Sequence, residues 1–275
     1  MITERALAKI NLALHVRGRR ADSYHDLDSI VAFADIGDAL TFTTAARTTL
    51  SVHGAFAEGL TAGADNLVLR AAAALSAVVK IPAAAITLEK NLPIASGMGG
   101  GSADAAATLR GLLRLAHVQI DTEILKRVAL VLGADVPVCL RSTACRMTGI
   151  GDDISTIAGL PQPGIVLANP LQPCGTAAVF AGLGLRAGQS FGTGVDFNKP
   201  TTWRNDLEAS ALTVAPVIAH VLSALRSEPV LTAVRMTGSG ATCFGLAQST
   251  SDAEAAARGL QARHPGWWIR AANLL

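Results

Sequence analysis

Pro93-Ile94-Ala95-Ser96-Gly97-Met98-Gly99-Gly100-Gly101-Ser102-Ala103-Asp104 is the stretch on which the fold turns. Four glycines in five positions remove side chains from a segment that feeds an Ala/Leu-rich helix expected from Ser102 to Ala116. Unpaired backbone N–H groups and the positive end of that helix suit an anion, above all the phosphates of a nucleotide. The plain alternative is a flexible turn with Ser102 as an ordinary N-cap. Neither standard phosphate motif fits. No lysine follows Gly101, against a Walker A loop, and Ser102 or Asp104 stands where a dinucleotide-binding fingerprint needs its third glycine.

Ahead of the loop, Ala84–Lys90 reads as a strand rising into Asn91-Leu92-Pro93. Nearer the N-terminus, Ala8, Ile10, Leu12, Leu14 and Val16 alternate with Lys9, Asn11, Ala13 and His15, a period of two that buries one face. Lys9 and Asn11 then share a side, roughly 7 Å apart. A polar loop, Arg19–Asp26, precedes an apolar segment at Ile30–Ile36, and Leu67–Lys80 has helical character. Asp121 can cap a helix with Ile124, Val128 and Val131 on its apolar stripe and Gly133 as its stop. Short strands at Val136–Leu140 and Ala144–Gly149 are expected to close a first domain, residues 1–155.

For residues 156–275 the pattern predicts a strand at Gly164–Ala168, a Gly/Pro-rich loop and helices over Asp206–Ser227. Strands at Ala233–Thr237 and Thr242–Ala247 flank the turn Gly238-Ser239-Gly240. Ser251 with Glu254 forms a capping box for one more helix, and Trp267–Ala271 is a last strand. This β-α-β-β-α-β rhythm is consistent with a ferredoxin-like arrangement, and the fold class is α+β.

Composition narrows the partners. The chain has 275 residues, 50% hydrophobic, 16% charged and 4% aromatic, with a formal net charge of +2. No basic field invites nucleic acid. Mean hydropathy is +0.39, yet charged residues or glycine interrupt every apolar run before the roughly 18 residues of a membrane span. No secretory h-region follows Met1, and a cytoplasmic location is expected. Cys139, Cys145, Cys174 and Cys243 lack metal-ligand spacing and read as small buried hydrophobes, not a zinc site or a disulfide framework.

A lysine on an N-terminal strand, Pro-x-x-x-Gly-Met-Gly-Gly-Gly-Ser opening a helix, and a late Thr237-Gly238-Ser239-Gly240-Ala241 turn, in this order, resemble the GHMP small-molecule kinases. Further stretches sharpen the likeness: Ala8-Lys9-Ile10-Asn11-Leu12, Arg20-Ala21-Asp22-Ser23-Tyr24-His25, Asp65-Asn66-Leu67-Val68, Gly133-Ala134-Asp135-Val136-Pro137-Val138 and Asn205-Asp206-Leu207-Glu208. They are similar to the branch of the family acting on a cytidine diphosphate-linked methylerythritol in non-mevalonate isoprenoid precursor synthesis.

The resemblance implies a two-lobed GHMP-kinase-like α+β fold. A nucleotide-binding N-terminal lobe, a ferredoxin-like C-terminal lobe and an active site between them belong to that expectation. It implies ATP as phosphate donor, with Mg²⁺ whose protein ligand stays open, and Lys9 and Asp135 as the catalytic pair. Asn66, Lys90, Pro93, Ser96, Gly97, Met98, Gly99, Gly100, Gly101 and Ser102 would hold the nucleotide. Asn11, Tyr24, His25, Thr176, Phe180, Gly238 and Ser239 would hold the substrate, with Tyr24, His25 and Phe180 around the cytosine. On spacing alone, Asp135 is equally a turn residue, Lys9 a snorkelling lysine, Lys90 a solvated strand end and Phe180 a core residue. A kinase for another small alcohol, or a nucleotide-binding regulatory domain, is the competing reading. Three positions depart from the pattern: Leu7 and Ala177 replace prolines, and Ser23 replaces a glycine before Tyr24-His25, which matters if that position needs φ > 0.

Overall fold

The computed structural model describes residues 1–160 and 164–275. Two long strands, β1 (Ile2–Arg19) and β2 (His25–Thr44), pair with each other and run through both of the compact units into which the chain divides. Each unit gathers non-contiguous segments.

The first unit comprises residues 1–8, 36–94 and 99–142. Here β3 (Thr49–His53) lies parallel to β4 (Ala84–Glu89), which pairs antiparallel with residues 39–44 of β2. Helices α1 (Leu67–Ser76), α2 (Gly100–Ala116), α3 (Thr122–Leu132) and α4 (Val136–Arg141) complete it. Alanine explains how closely they pack: Ala103, Ala105, Ala106 and Ala107 of α2 are buried, and Gly111 leaves room for the Phe42 ring. Asp121 caps α3 as expected, accepting from Glu123 N and Ile124 N, but Val131 is 77% exposed and lies off the buried stripe.

The second unit comprises residues 9–35, 95–98 and 143–275. Residues 27–31 of β2 pair with β5 (Cys145–Gly149), which pairs with β6 (Asp153–Thr156). A separate antiparallel sheet has the order β10-β7-β9-β8, built from β7 (Gly164–Asn169), β8 (Thr232–Met236), β9 (Cys243–Ala247) and β10 (Trp268–Asn273). That order, with helices after its first and third strands, is the split β-α-β of a ferredoxin-like unit. Val166 and Ala168 share a core with Ile218, Val221, Leu222 and Leu225 of α7 (Val217–Arg226) and with Ala253 and Leu260 of α8 (Thr250–Arg263). Helices α5 (Thr176–Ala181) and α6 (Glu208–Val214) lie between β7 and α7 in the chain.

Several local expectations change. Val136–Leu140 is not a strand but helix α4, with Asp135 at its N-cap and Pro137 in its first turn, where a missing N–H is harmless. A short apolar run does not distinguish a buried strand from a buried helix. The helical stretch over 206–227 breaks at Ala215-Pro216 into α6 and α7. The cap of α8 is Ser249, not Ser251: its Oγ accepts from Asp252 N at 3.1 Å and donates to the Asp252 carboxylate at 2.6 Å. β1 is buried on both faces around residues 8–16 rather than on one, because the Lys9–Asn11–His15 side is also covered. All four cysteines are buried free thiols. Among the described residues no helix is long and apolar enough to cross a membrane.

Candidate active site

The glycine loop opens α2 without any side-chain cap. Gly99 is the N-cap, with φ of 65°, and the first helical bond runs from Ala103 N to Gly99 O at 2.8 Å. Ser102 is therefore inside the first turn and is not the cap. The N–H groups of Gly100, Gly101 and Ser102 have no acceptor within the helix, the arrangement that accommodates an anion.

Behind this turn sits a cluster of buried charge. Lys90, at the end of β4, is only 3% exposed; its ammonium donates to Asp38 Oδ2 at 2.5 Å and to Asp104 Oδ2 at 2.7 Å. Asp38 also accepts at Oδ1 from Asn91 N (2.6 Å) and Leu92 N (2.8 Å), fixing the chain where it enters the loop. Lys90 is thus neither solvated nor free to swing. Burial alone would lower its pKa, but the carboxylates of Asp104 and Asp38 raise it, and the charged form is held. Two carboxylates share one ammonium. Burial and the repulsion of Asp38 outweigh Lys90 at Asp104, whose pKa is pushed up to about 7. Its Oδ1 is buried without a partner among the described residues.

Asn66 caps α1: Oδ1 accepts from Val68 N at 2.9 Å and Nδ2 donates to Thr61 O at 2.8 Å. Its amide is occupied in shaping the loop ahead of α1. Asp135 is half-buried at the N-cap of α4.

In the second unit the remaining part of the loop, Ala95–Met98, meets the late glycine turn. A Cβ at Gly97 would lie 2.5 Å from Thr237 O and 2.8 Å from Gly240 O, and Gly97 backbone blocks a Cβ at Gly238 in return. Both residues have positive φ, 77° and 55°. These two glycines are needed by each other, backbone against backbone, and not only by a ligand. Thr242 N donates to Ser96 O at 3.2 Å, and Lys9 N to Met98 O at 2.9 Å. Lys9 is buried, which removes the reading as a snorkelling surface lysine. Asn11 N donates to Thr237 Oγ1 and its Nδ2 to Ser29 Oγ, both at 2.8 Å, while Oδ1 has no partner among the described residues.

Asn205 explains why its motif belongs with the glycine turn. Its buried amide donates to Met236 O and Gly238 O, each at 2.8 Å, and accepts from Leu207 N. Asp206 takes Val16 N at 2.8 Å, tying the same segment to β1. Thr176 Oγ1 and Ser239 Oγ are 2.8 Å apart, so two residues expected at the substrate share a hydrogen bond.

The aromatic residues gather around a cleft of about 650 Å³ whose lining includes Tyr24, His25 and Phe180. The His25 and Phe180 rings lie 4.8 Å apart at 36°. Phe180 also rests on the core, so its core reading is partly correct. The turn carrying Tyr24 and His25 is closed by Arg20 N to Tyr24 O at 2.7 Å, and Asp22 Oδ1 accepts from Tyr24 N at 3.1 Å. Ser23 adopts φ of 72°, the left-handed conformation that glycine takes more readily. Burial lowers the pKa of His25 and the Arg19 charge lowers it further, so the ring is neutral at pH 7, with one donor and one acceptor nitrogen. The motifs pointed to these residues; Asp38, Asp104, Ser29 and Arg19 were missed because each acts through a partner distant in sequence.

The glycine-opened helix and the late glycine turn fall within two stretches of the chain that match family models. The model for the GHMP kinases N terminal domain covers residues 66–143, and that for the GHMP kinases C terminal covers 185–266. The chain belongs to the GHMP kinase family, whose members transfer phosphate from ATP. Relatives named 4-diphosphocytidyl-2-C-methyl-D-erythritol kinase include one from Parvibaculum lavamentivorans, 49% identical over 98% of this chain and 96% of the relative. Another, from Bradyrhizobium diazoefficiens, is 44% identical over 99% of this chain and 98% of the relative. A crystal structure of 4-(cytidine 5'-diphospho)-2C-methyl-D-erythritol kinase superposes with a TM-score of 0.83 at 31% identity, covering 99% of both chains. Homoserine kinase from Cytophaga hutchinsonii, 14% identical with a TM-score of 0.71 and covering 98% of this chain and 94% of its own, shares the fold.

Proposed function

We propose that the chain is the kinase that uses ATP to phosphorylate the 2-hydroxyl of 4-diphosphocytidyl-2-C-methyl-D-erythritol in isoprenoid precursor synthesis. The observation that carries this reading within the family is the His25–Phe180 ring pair in a cleft also lined by Tyr24. Two rings in mutual contact leave their outer faces, beside Tyr24, for a planar base to stack on, and a neutral imidazole complements the mixed donor and acceptor edge of cytosine.

The first-turn N–H groups of α2 and the loop from Pro93 to Ser102 take the triphosphate, with Asn66 shaping the adenine side. Asp135 orients the attacking hydroxyl and accepts its proton as the γ-phosphoryl group passes to that oxygen and ADP departs. Lys9 offsets the charge that develops. Asn11, Thr176, Gly238 and Ser239 position the methylerythritol diphosphate. Residues 1–155 supply the nucleotide side and 156–275 the C-terminal lobe, in a cytoplasmic enzyme acting on a small molecule.

Mg²⁺ would arrive with the nucleotide. Among the described residues no three His, Cys, Asp or Glu side chains form a cluster able to hold a metal. The donor set therefore suits an ion carried by phosphate oxygens, the usual mode for this cation, rather than one caged by protein.

ADP release measured with the cytidyl substrate, with mevalonate and with homoserine tests the reading. Turnover of the cytidyl compound alone is expected, abolished by Asp135→Ala; turnover of another alcohol in its place would overturn the assignment.

A further inference from the structure

The end of β1 brings one fixed charge to the aromatic cleft. Arg19 is the only Lys, Arg, Asp or Glu among the described lining residues. Its Nη1 donates to Leu185 O at 2.9 Å, and its Nε makes a longer bond to Ser23 O at 3.4 Å. Leu185 belongs to the wall that follows α5 and carries Phe180. Ser23 belongs to the turn that carries Tyr24 and His25. One guanidinium therefore joins both walls. The backbone around it is held as well: Arg19 N donates to Gln189 O at 2.8 Å and Gly188 N to Arg19 O at 2.7 Å.

We propose that Arg19 is a positioning residue for the base-binding cleft, setting the spacing of the His25–Phe180 ring pair by bonding to both walls at once. The inference rests on reading this cleft as the cytosine site. Losing the guanidinium removes the side-chain tie between the Tyr24–His25 turn and the wall at Leu185, so the two rings are held less firmly in place. Ordering them again on each binding event weakens substrate affinity without touching the transfer step.

After burial, the same side chain adds to what keeps His25 neutral. Helix α5, which faces the imidazole, contributes Thr176, Ala177, Ala178, Val179, Phe180 and Ala181, none of them charged. Along its own chain the neighbours are Tyr24 and the acidic Asp26. Arg19 is the cation that acts on the ring, and it opposes protonation. A protonated imidazole would offer two donors and no acceptor, a poorer match to the base edge.

Arg19→Met and Arg19→Lys in the full-length protein test the proposal. The readouts are KM and kcat with the cytidyl substrate, calorimetric binding of cytidine 5'-monophosphate, and the NMR titration of His25 in free protein, assigned through His25→Gln. Arg19→Met is expected to raise KM and the cytidine monophosphate Kd about tenfold with kcat within about twofold, as loss of one hydrogen bond from a charged donor would. The His25 midpoint should rise. Arg19→Lys keeps the charge but not the fork, so the midpoint should stay low while KM still increases. Unchanged KM and midpoint in Arg19→Met, or a fall in kcat at constant KM, would overturn the proposal. If wild-type protein fails to bind cytidine monophosphate while the His25 midpoint still moves in Arg19→Met, the cytosine reading falls and the brace stands.

Discussion

Lys90 is 3% exposed between two carboxylates, whereas Tyr24 at the aromatic cleft is 59% exposed. The entry to the glycine loop is held by Asp38, Lys90 and Asp104, charges removed from water, with both carboxylates on the one ammonium and Asp38 also taking two backbone N–H groups. The cleft is held by a tilted ring pair, a short polar turn and one arginine. A loop that must present backbone N–H groups at fixed positions gains from a rigid buried network, and breaking such a network is costly. A cleft that admits a planar base needs exposed faces, and changes there alter binding more than stability. The two regions should therefore fail in different ways.

Lys90→Met presses hardest on this contrast. It leaves Asp38 and Asp104 buried without their cation, and a loss of about 3–5 kcal/mol in folding stability is expected from chemical denaturation. A loss below about 1 kcal/mol would show that the network is not what holds the loop entry.

Asp104 supplies a second test through pH. Its folded pKa of about 7 lies above the ordinary carboxylate value of 3.8. Between these values the folded state binds the extra proton, so stability falls as pH rises through 7. From pH 6 to pH 8 the decline attributable to this group is about 1.4 kcal/mol, one pH unit of net titration. Asp104→Asn should flatten that slope in denaturation curves at the two pH values. An identical slope in wild type and variant would place the titration elsewhere.

The smallest effect belongs to the cleft. Ser23→Gly relieves a left-handed serine but adds freedom to the unfolded chain, and the two terms nearly cancel, leaving a gain of about 0.5 kcal/mol. A melting temperature lowered by several degrees would mean that the serine side chain supports the turn in a way its backbone angle does not reveal.

Much of this arrangement was legible in local patterns. Glycine spacing marked the loop and its helix, alternation marked β1, and the strand rhythm of the C-terminal half marked the split β-α-β sheet. The Arg20–His25 stretch carried both its turn chemistry and its aromatic pair. What stayed hidden depends on partners far apart in the chain. Lys90 looked like a solvated strand end because Asp38 lies 52 residues away and nothing local announces the pair. Gly97 and Gly238 looked like places for ligand approach, yet each is first required by the other's backbone. Val136–Leu140 misled because Val-Pro-Val with flanking apolar residues satisfies a strand as readily as the first turn of a helix.

The division of labour between the two regions is tested most directly by calorimetric titration of ADP and of cytidine 5'-monophosphate into wild type, Asp38→Asn and Phe180→Ala. Asp38→Asn, which disturbs the buried network at the loop entry, should weaken ADP at least about tenfold and leave cytidine monophosphate within about twofold. Phe180→Ala should do the reverse. Equal weakening of both ligands by either substitution would contradict the account.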